Sequence, residues 1–128
     1  MNGDLRTPLA RARGLGSAKQ GVHHWWAQRL TAVALIPLVV WFAVSLVMLS
    51  GADYGVVRAW IGSPLVMMLL VLTIAVGLHH AQLGMQVVIE DYVGGDGWKL
   101  ALIVIVKFIA VLFGLGAIVA ILRIGFGG

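Results

Sequence analysis

The sequence predicts an all-α membrane protein with three transmembrane helices, from its composition and the placement of its charges. Hydrophobic residues make up 61% of the 128 residues and charged residues only 11%, whereas a soluble domain carries about 25% charged residues. Intervals 30–52 and 59–89 contain no formal charge, and only Lys107 interrupts the apolar interval 100–122. Because a spanning helix needs about 20 apolar residues, each interval can cross a bilayer, and a soluble globular fold is excluded.

The three spans are expected at about residues 26–50, 64–90 and 99–123, within a single membrane domain over residues 1–128. A basic N-terminal segment, residues 1–21, precedes them, and the connections are too short to hold a soluble domain.

Local signals mark several features of these helices. Ser63 and Pro64 predict a helix start, with Ser63 as the N-cap and Pro64 at the first helical position. Residues 94–97 read Gly-Gly-Asp-Gly and predict the turn into the third span, because glycine extends a helix poorly. Pro37 lies inside the first span and predicts a kink, because proline has no N–H to donate to the preceding turn.

The basic residues predict the orientation of the chain in the membrane. Three spans place the N-terminus and the second connection on one side, whose six basic residues are Arg6, Arg11, Arg13, Lys19, Arg29 and Lys99. The other side carries only Arg58 and Arg123. Because basic residues are retained on the cytoplasmic side, we expect a cytoplasmic N-terminus and an external C-terminus. The net charge of +4 then reflects topology, and no nucleic-acid partner is expected.

His80 is the most informative polar residue inside a predicted span. It lies ten residues before Glu90, so about 15 Å along a helix from the polar end. A histidine at that depth either forms a hydrogen bond to a neighbouring helix or binds a metal. Gly77 and Gly84 share its helix face, which suits either a flat macrocycle bound by the imidazole or close helix packing. His79 points about 100° away and belongs to a different face.

Two further groups lie near the side predicted to be cytoplasmic. Asp91 and Tyr92 end the second span, where a tyrosine is either an interfacial anchor or a phenol that donates to a lipophilic carbonyl. Trp25 and Arg29 are one helical turn apart at the start of the first span. They form either an interfacial belt or a cationic site for carboxylates or phosphates.

Two motifs carry a resemblance to a known family. Residues 80–93, HAQLGMQVVIEDYV, closely resemble the second-helix signature of the succinate dehydrogenase hydrophobic membrane-anchor family. Residues 21–23, GVH, followed by residues 29–32, RLTA, resemble the N-terminal motif of the same family. The three-span layout and the length match over nearly the whole chain, and the tryptophan-rich sequence is similar to alphaproteobacterial members.

The resemblance implies roles for particular residues. His80 matches the axial ligand of haem b, and the second axial ligand comes from the companion anchor, the cytochrome b556 subunit. Tyr92 matches the tyrosine that forms a hydrogen bond to a ubiquinone carbonyl, and Asp91 is its neighbour at that site. Arg29 matches an arginine near the haem propionates, with His23 a further candidate. The neighbouring His79 leaves the choice of ligand between the two histidines open.

The resemblance also implies partners and a location. In this family succinate is oxidised at a flavin in the flavoprotein subunit, and electrons pass through the iron–sulfur subunit to ubiquinone. The chain has no cysteine and is expected to hold no catalytic residue of its own. A bacterial inner membrane is favoured over a mitochondrial one, with a role in the respiratory chain and the tricarboxylic acid cycle. A fumarate reductase anchor that uses menaquinol and a non-redox three-helix scaffold stay open as alternatives.

Overall fold

The computed structural model describes Pro8 and residues 19–127. Within residues 19–127 the chain forms four helices and no strand, with the bounds α1 Lys19–Met48, α2 Tyr54–Gly62, α3 Pro64–Tyr92 and α4 Asp96–Gly125. Three stretches are long and apolar enough to cross a membrane, namely Gly21–Met48, Pro64–Tyr92 and Asp96–Gly125. The predicted all-α architecture with three spans is therefore confirmed. Most of the basic segment 1–21 lies outside the described residues.

The helices extend beyond the predicted spans. α1 begins at Lys19, so the motif from His23 to Arg29 is already helical. α3 has 29 residues and is about 43 Å long at 1.5 Å per residue. Because that exceeds the roughly 30 Å thickness of the hydrocarbon core, the helix is either tilted or extends into the interface. α1 continues through Pro37 without interruption.

The first connection contains a helix that the sequence analysis assigned to a loop. α2 starts after Asp53, whose carboxylate accepts a hydrogen bond from the Val56 backbone N–H at 2.9 Å. Its Trp60 ring stacks on Trp41 of α1, with ring centroids 5.9 Å apart. An N-cap and one aromatic contact thus stabilise a helix of nine residues, too short for hydrophobic periodicity to reveal.

The start of α3 and the start of α4 agree only partly with the positions predicted from the sequence. Ser63 is the N-cap of α3 in an extended conformation and Pro64 is its first residue, as predicted, although the Ser63 side chain makes no capping hydrogen bond. The turn into α4 is shorter than predicted, because Asp96 already begins the helix. Gly95 precedes it with φ +85°. A carboxylate in the first turn of a helix is stabilised by the backbone dipole, which explains why Asp96 belongs to α4.

α3 is the central helix of the structure. α1 and α4 both pack against α3, and over the described residues they do not approach each other within 8 Å between Cα atoms. A small core of Met67, Leu70 and Ile121 lies at the α2 end. The arrangement is therefore an open one rather than a closed three-helix bundle, and it leaves most apolar side chains for lipid or for partner helices.

Candidate functional site

His80 lies at the interface between α1 and α3. Its Nδ1 atom is 3.0 Å from the hydroxyl oxygen of Thr31, and the Thr31 hydroxyl is 2.6 Å from the carbonyl oxygen of Ala27. The imidazole is half-buried. A hydrogen bond between His80 and a neighbouring helix is therefore present, and the Thr31 side chain makes it. The bond uses Nδ1, so Nε2 is the ring atom that remains to bind a metal.

His80 also lines a groove between α1 and α3. The groove has a volume of about 470 Å³, and its lining residues are Gly21, His24, Trp25, Gln28, Arg29, Ala32, His80 and Val87. The residues from α1 recur every three or four positions, so they form one face of that helix. The structure thus brings His80 and Arg29, two residues that the sequence singled out, to the same groove.

Two polar atoms of this groove are buried without a partner. Within the part of the chain that the structure describes, His24 Nε2 and Gln28 Oε1 are inaccessible to solvent and make no hydrogen bond. Leaving such an atom unpaired costs about 1–3 kcal/mol, so both atoms favour a polar ligand or a partner group at this place. Neither residue was predicted from the sequence as part of the site. Their spacing of four, in register with Gly21, could have placed them on one helix face.

The two histidines of the N-terminal motif differ in position. His24 lines the groove, whereas His23 is exposed and is not among the lining residues. The structure therefore brings His24, rather than the predicted His23, close to His80.

The glycines beside His80 face α1. A Cβ atom built on Gly77 would lie 3.8 Å from Leu35 Cδ2, and one built on Gly84 would lie 3.7 Å from Gln28 Nε2. These are ordinary van der Waals distances, so α1 covers the glycine strip. This contact favours the helix-packing interpretation of the two glycines.

Arg29 contacts the aromatic residues at the start of α1. Its guanidinium carbon lies 5.3 Å from the ring centroid of Trp25, a distance typical of a cation–π contact. Both residues are exposed and both line the groove. Stacking uses the face of the guanidinium and leaves its N–H groups free to bind an anion.

Tyr92 and Asp91 lie at the other end of the candidate region. Both are exposed at the end of α3, and Tyr92 is 84% exposed. Twelve residues separate Tyr92 from His80, so the two are about 18 Å apart along the helix. The described residues therefore do not enclose Tyr92 in a pocket with His80.

His79 lines a different groove from His80. That groove, about 480 Å³ in volume, lies between α3 and α4 and includes Gln82 and Lys107. The two histidines thus face different helices, as their spacing predicts. Within the described residues no three His, Cys, Asp or Glu side chains come together. The described residues therefore do not offer an ion at His80 a set of three such ligands.

These observations define a multi-pass α-helical membrane protein with a polar groove between two of its spans. The family model for the succinate dehydrogenase/fumarate reductase transmembrane subunit matches residues 3–116, and the chain belongs to this family. The chain is 35% identical over 121 residues to the succinate dehydrogenase hydrophobic membrane anchor subunit of Rickettsia bellii, covering 94% of this chain and 97% of the relative.

Two further relatives agree with this assignment. The hydrophobic membrane anchor subunit of Paracoccus denitrificans is 34% identical over 125 residues, covering 94% of this chain and 93% of the relative. The succinate dehydrogenase membrane anchor subunit of Reclinomonas americana is 29% identical over 104 residues, covering 73% of this chain and 80% of the relative. The resemblance inferred from the two motifs is therefore confirmed.

Proposed function

We propose that the chain is the membrane-anchor subunit of a succinate:ubiquinone oxidoreductase in a bacterial inner membrane. The observation that carries this proposal is the near full-length similarity to subunits named as succinate dehydrogenase membrane anchors. In that role it would associate with the flavoprotein subunit, the iron–sulfur subunit and the cytochrome b556 subunit. Succinate would be oxidised in the soluble subunits, and this chain would help to deliver the electrons to ubiquinone.

The groove between α1 and α3 fits a share in a haem b site. His80 offers one imidazole ligand for the iron, and Arg29 together with His24 offers donors for the propionate groups. His24 lines the same groove, and within the described residues its Nε2 atom makes no hydrogen bond. An iron held by two histidines stores and transfers single electrons and has no open position for oxygen. The cytochrome b556 subunit would supply the second histidine.

Tyr92 and Asp91 would contribute to the ubiquinone site. Reduction of a quinone places negative charge on its carbonyl oxygens, and a phenol that donates to one of them stabilises that charge. Tyr92 is exposed at the end of α3, so its hydroxyl is accessible to a quinone that enters from the bilayer. The exposure of both residues also means that partner subunits must form the remaining walls of the site.

The proposed orientation places these groups on the cytoplasmic side. Because successive spans alternate in direction, the start of α1 and the end of α3 lie on the same side of the membrane, the side that carries most of the basic residues. The soluble subunits would dock there, next to Tyr92.

The adjacent histidines provide a matched test of haem ligation. We expect the complex purified with His80→Ala to lose or strongly shift its haem b absorbance in a reduced-minus-oxidised spectrum. His79→Ala should leave the spectrum unchanged, because His79 faces α4. Loss of the spectrum in the His79 variant alone would contradict the assignment. Comparing succinate oxidation by ubiquinone with fumarate reduction by menaquinol would separate the proposed activity from that of a fumarate reductase anchor.

A further inference from the structure

The Thr31 hydroxyl lies close to three polar atoms. Its Oγ1 atom is 2.6 Å from the carbonyl oxygen of Ala27, 3.1 Å from that of Gln28 and 3.0 Å from His80 Nδ1. All three distances are compatible with hydrogen bonds. A hydroxyl has one proton to donate and two lone pairs that accept, so the three contacts cannot all use Thr31 as the donor.

The shortest contact fixes the position of the hydroxyl proton. Two oxygen atoms approach to 2.6 Å only when a proton lies between them, and the Ala27 carbonyl has none to give. The Thr31 proton therefore points to the carbonyl oxygens of the preceding turn, which is the usual bond of a threonine within a helix. Towards His80 the Thr31 oxygen is then an acceptor, and Nδ1 must carry the donated proton.

We propose that Thr31 is a positioning residue that holds His80 as the Nδ1–H tautomer, with the Nε2 lone pair available to an iron atom. This inference rests on the proposed haem ligation. A neutral imidazole has one protonated nitrogen, so a proton fixed on Nδ1 leaves Nε2 free. Metal-binding histidines are commonly oriented by such a hydrogen bond, which also makes the ring a stronger ligand. Here the acceptor lies on the neighbouring helix α1 and therefore also sets the direction of the ring.

The variants Thr31→Val and Thr31→Ser test this role in the complete purified complex. Valine keeps the shape of threonine and removes the acceptor, while serine restores the hydroxyl. Thr73→Val is a matched control, because Thr73 forms the same bond to a carbonyl one turn earlier, that of Leu69 at 2.7 Å, without a histidine. The measurements are haem content, the haem midpoint potential and the g-values of the oxidised haem in electron paramagnetic resonance.

We expect Thr31→Val to raise the haem potential and shift the g-values, because a weaker histidine ligand stabilises ferric iron less. Thr31→Ser should restore both values, and Thr73→Val should leave them unchanged. If Thr31→Val prevents assembly, Thr31→Ala and Thr31→Ser give the same comparison, since they differ only by the hydroxyl. A variant without the hydroxyl that keeps the wild-type potential and g-values would overturn the inference. A wild-type complex without haem b, or haem retained by His80→Ala, would instead overturn the proposed function.

Discussion

Replacing Gly95 by alanine should destabilise the turn between α3 and α4. The backbone of Gly95 has φ +85° and ψ 121°, a conformation that side chains disfavour. A Cβ atom there would lie 3.9 Å from Trp98 Cδ1, so space is not the obstacle. The cost lies in the backbone and amounts to about 1–3 kcal/mol. At about 2 kcal/mol the ratio of folded to unfolded molecules falls roughly thirty-fold.

The neighbouring Gly94 provides the control for this experiment. Its φ is not positive and a Cβ atom would meet nothing within 4 Å. Gly94→Ala should therefore be neutral, or stabilise by about 0.4–1 kcal/mol because alanine restricts the unfolded chain. The assay is the midpoint temperature at which the detergent-solubilised complex loses quinone reductase activity. Equal midpoints for the two variants would refute the special role of the backbone at Gly95.

Three other outcomes are expected. Gly114→Val should lower the amount of assembled complex in membranes, at a cost of about 1–3 kcal/mol, because a Cβ atom at Gly114 would already lie 3.1 Å from Leu78 Cδ1. A Cβ atom at Gly116 would meet no described atom within 4 Å, so an equal loss with Gly116→Val would contradict this reasoning. Tyr92→Phe should slow quinone reduction by several-fold to about tenfold, which is the effect of losing one hydrogen bond of about 0.5–1.5 kcal/mol. Succinate oxidation by a soluble acceptor and the haem content should stay normal. Unchanged quinone kinetics would mean that Tyr92 is only an interfacial anchor. Alkaline phosphatase fused to the C-terminus should be active in a bacterial host, and an inactive fusion with an active cytoplasmic reporter at the same position would reverse the proposed orientation.

The sequence predicted the spans well because the bilayer imposes one strong requirement on them. A helix within hydrocarbon disfavours charge over about 20 residues. Two charge-free intervals and a third that only Lys107 interrupts therefore located the three helices. Pro64 indicated the start of α3 because proline is favoured at the first position of a helix. α2 escaped prediction because Trp60 and Ile61 pack against other helices, through contacts with Trp41 and with the small core, which no local pattern encodes. The connection between α3 and α4 was predicted to extend to residue 97, but it ends earlier because the Asp96 carboxylate stabilises the start of α4.

Among the residues of the α1–α3 groove, the sequence singled out His80, Trp25 and Arg29 but not the other neighbours of His80. His80 stands out because a polar side chain is rare at that depth. Thr31 and Gln28 contact the α3 face that carries His80 and Gly84, and these contacts depend on how α1 is rotated about its axis. The spacing of His24, Gln28 and Thr31 places them on one face of α1, but it does not show that this face meets α3. The structure was therefore needed to show which side of α1 meets His80.

Buried polar atoms that lack a hydrogen-bond partner indicate where this chain meets a cofactor or a partner helix. Exposed apolar side chains are satisfied by lipid tails, so the open arrangement of α1, α3 and α4 demands no protein cover by itself. The buried polar atoms of His24 and Gln28 are different, because within the described residues they make no hydrogen bond. Both lie in the groove that also contains His80 and Arg29. We therefore expect the proposed cofactor and the companion anchor subunit to meet this chain along the α1–α3 groove.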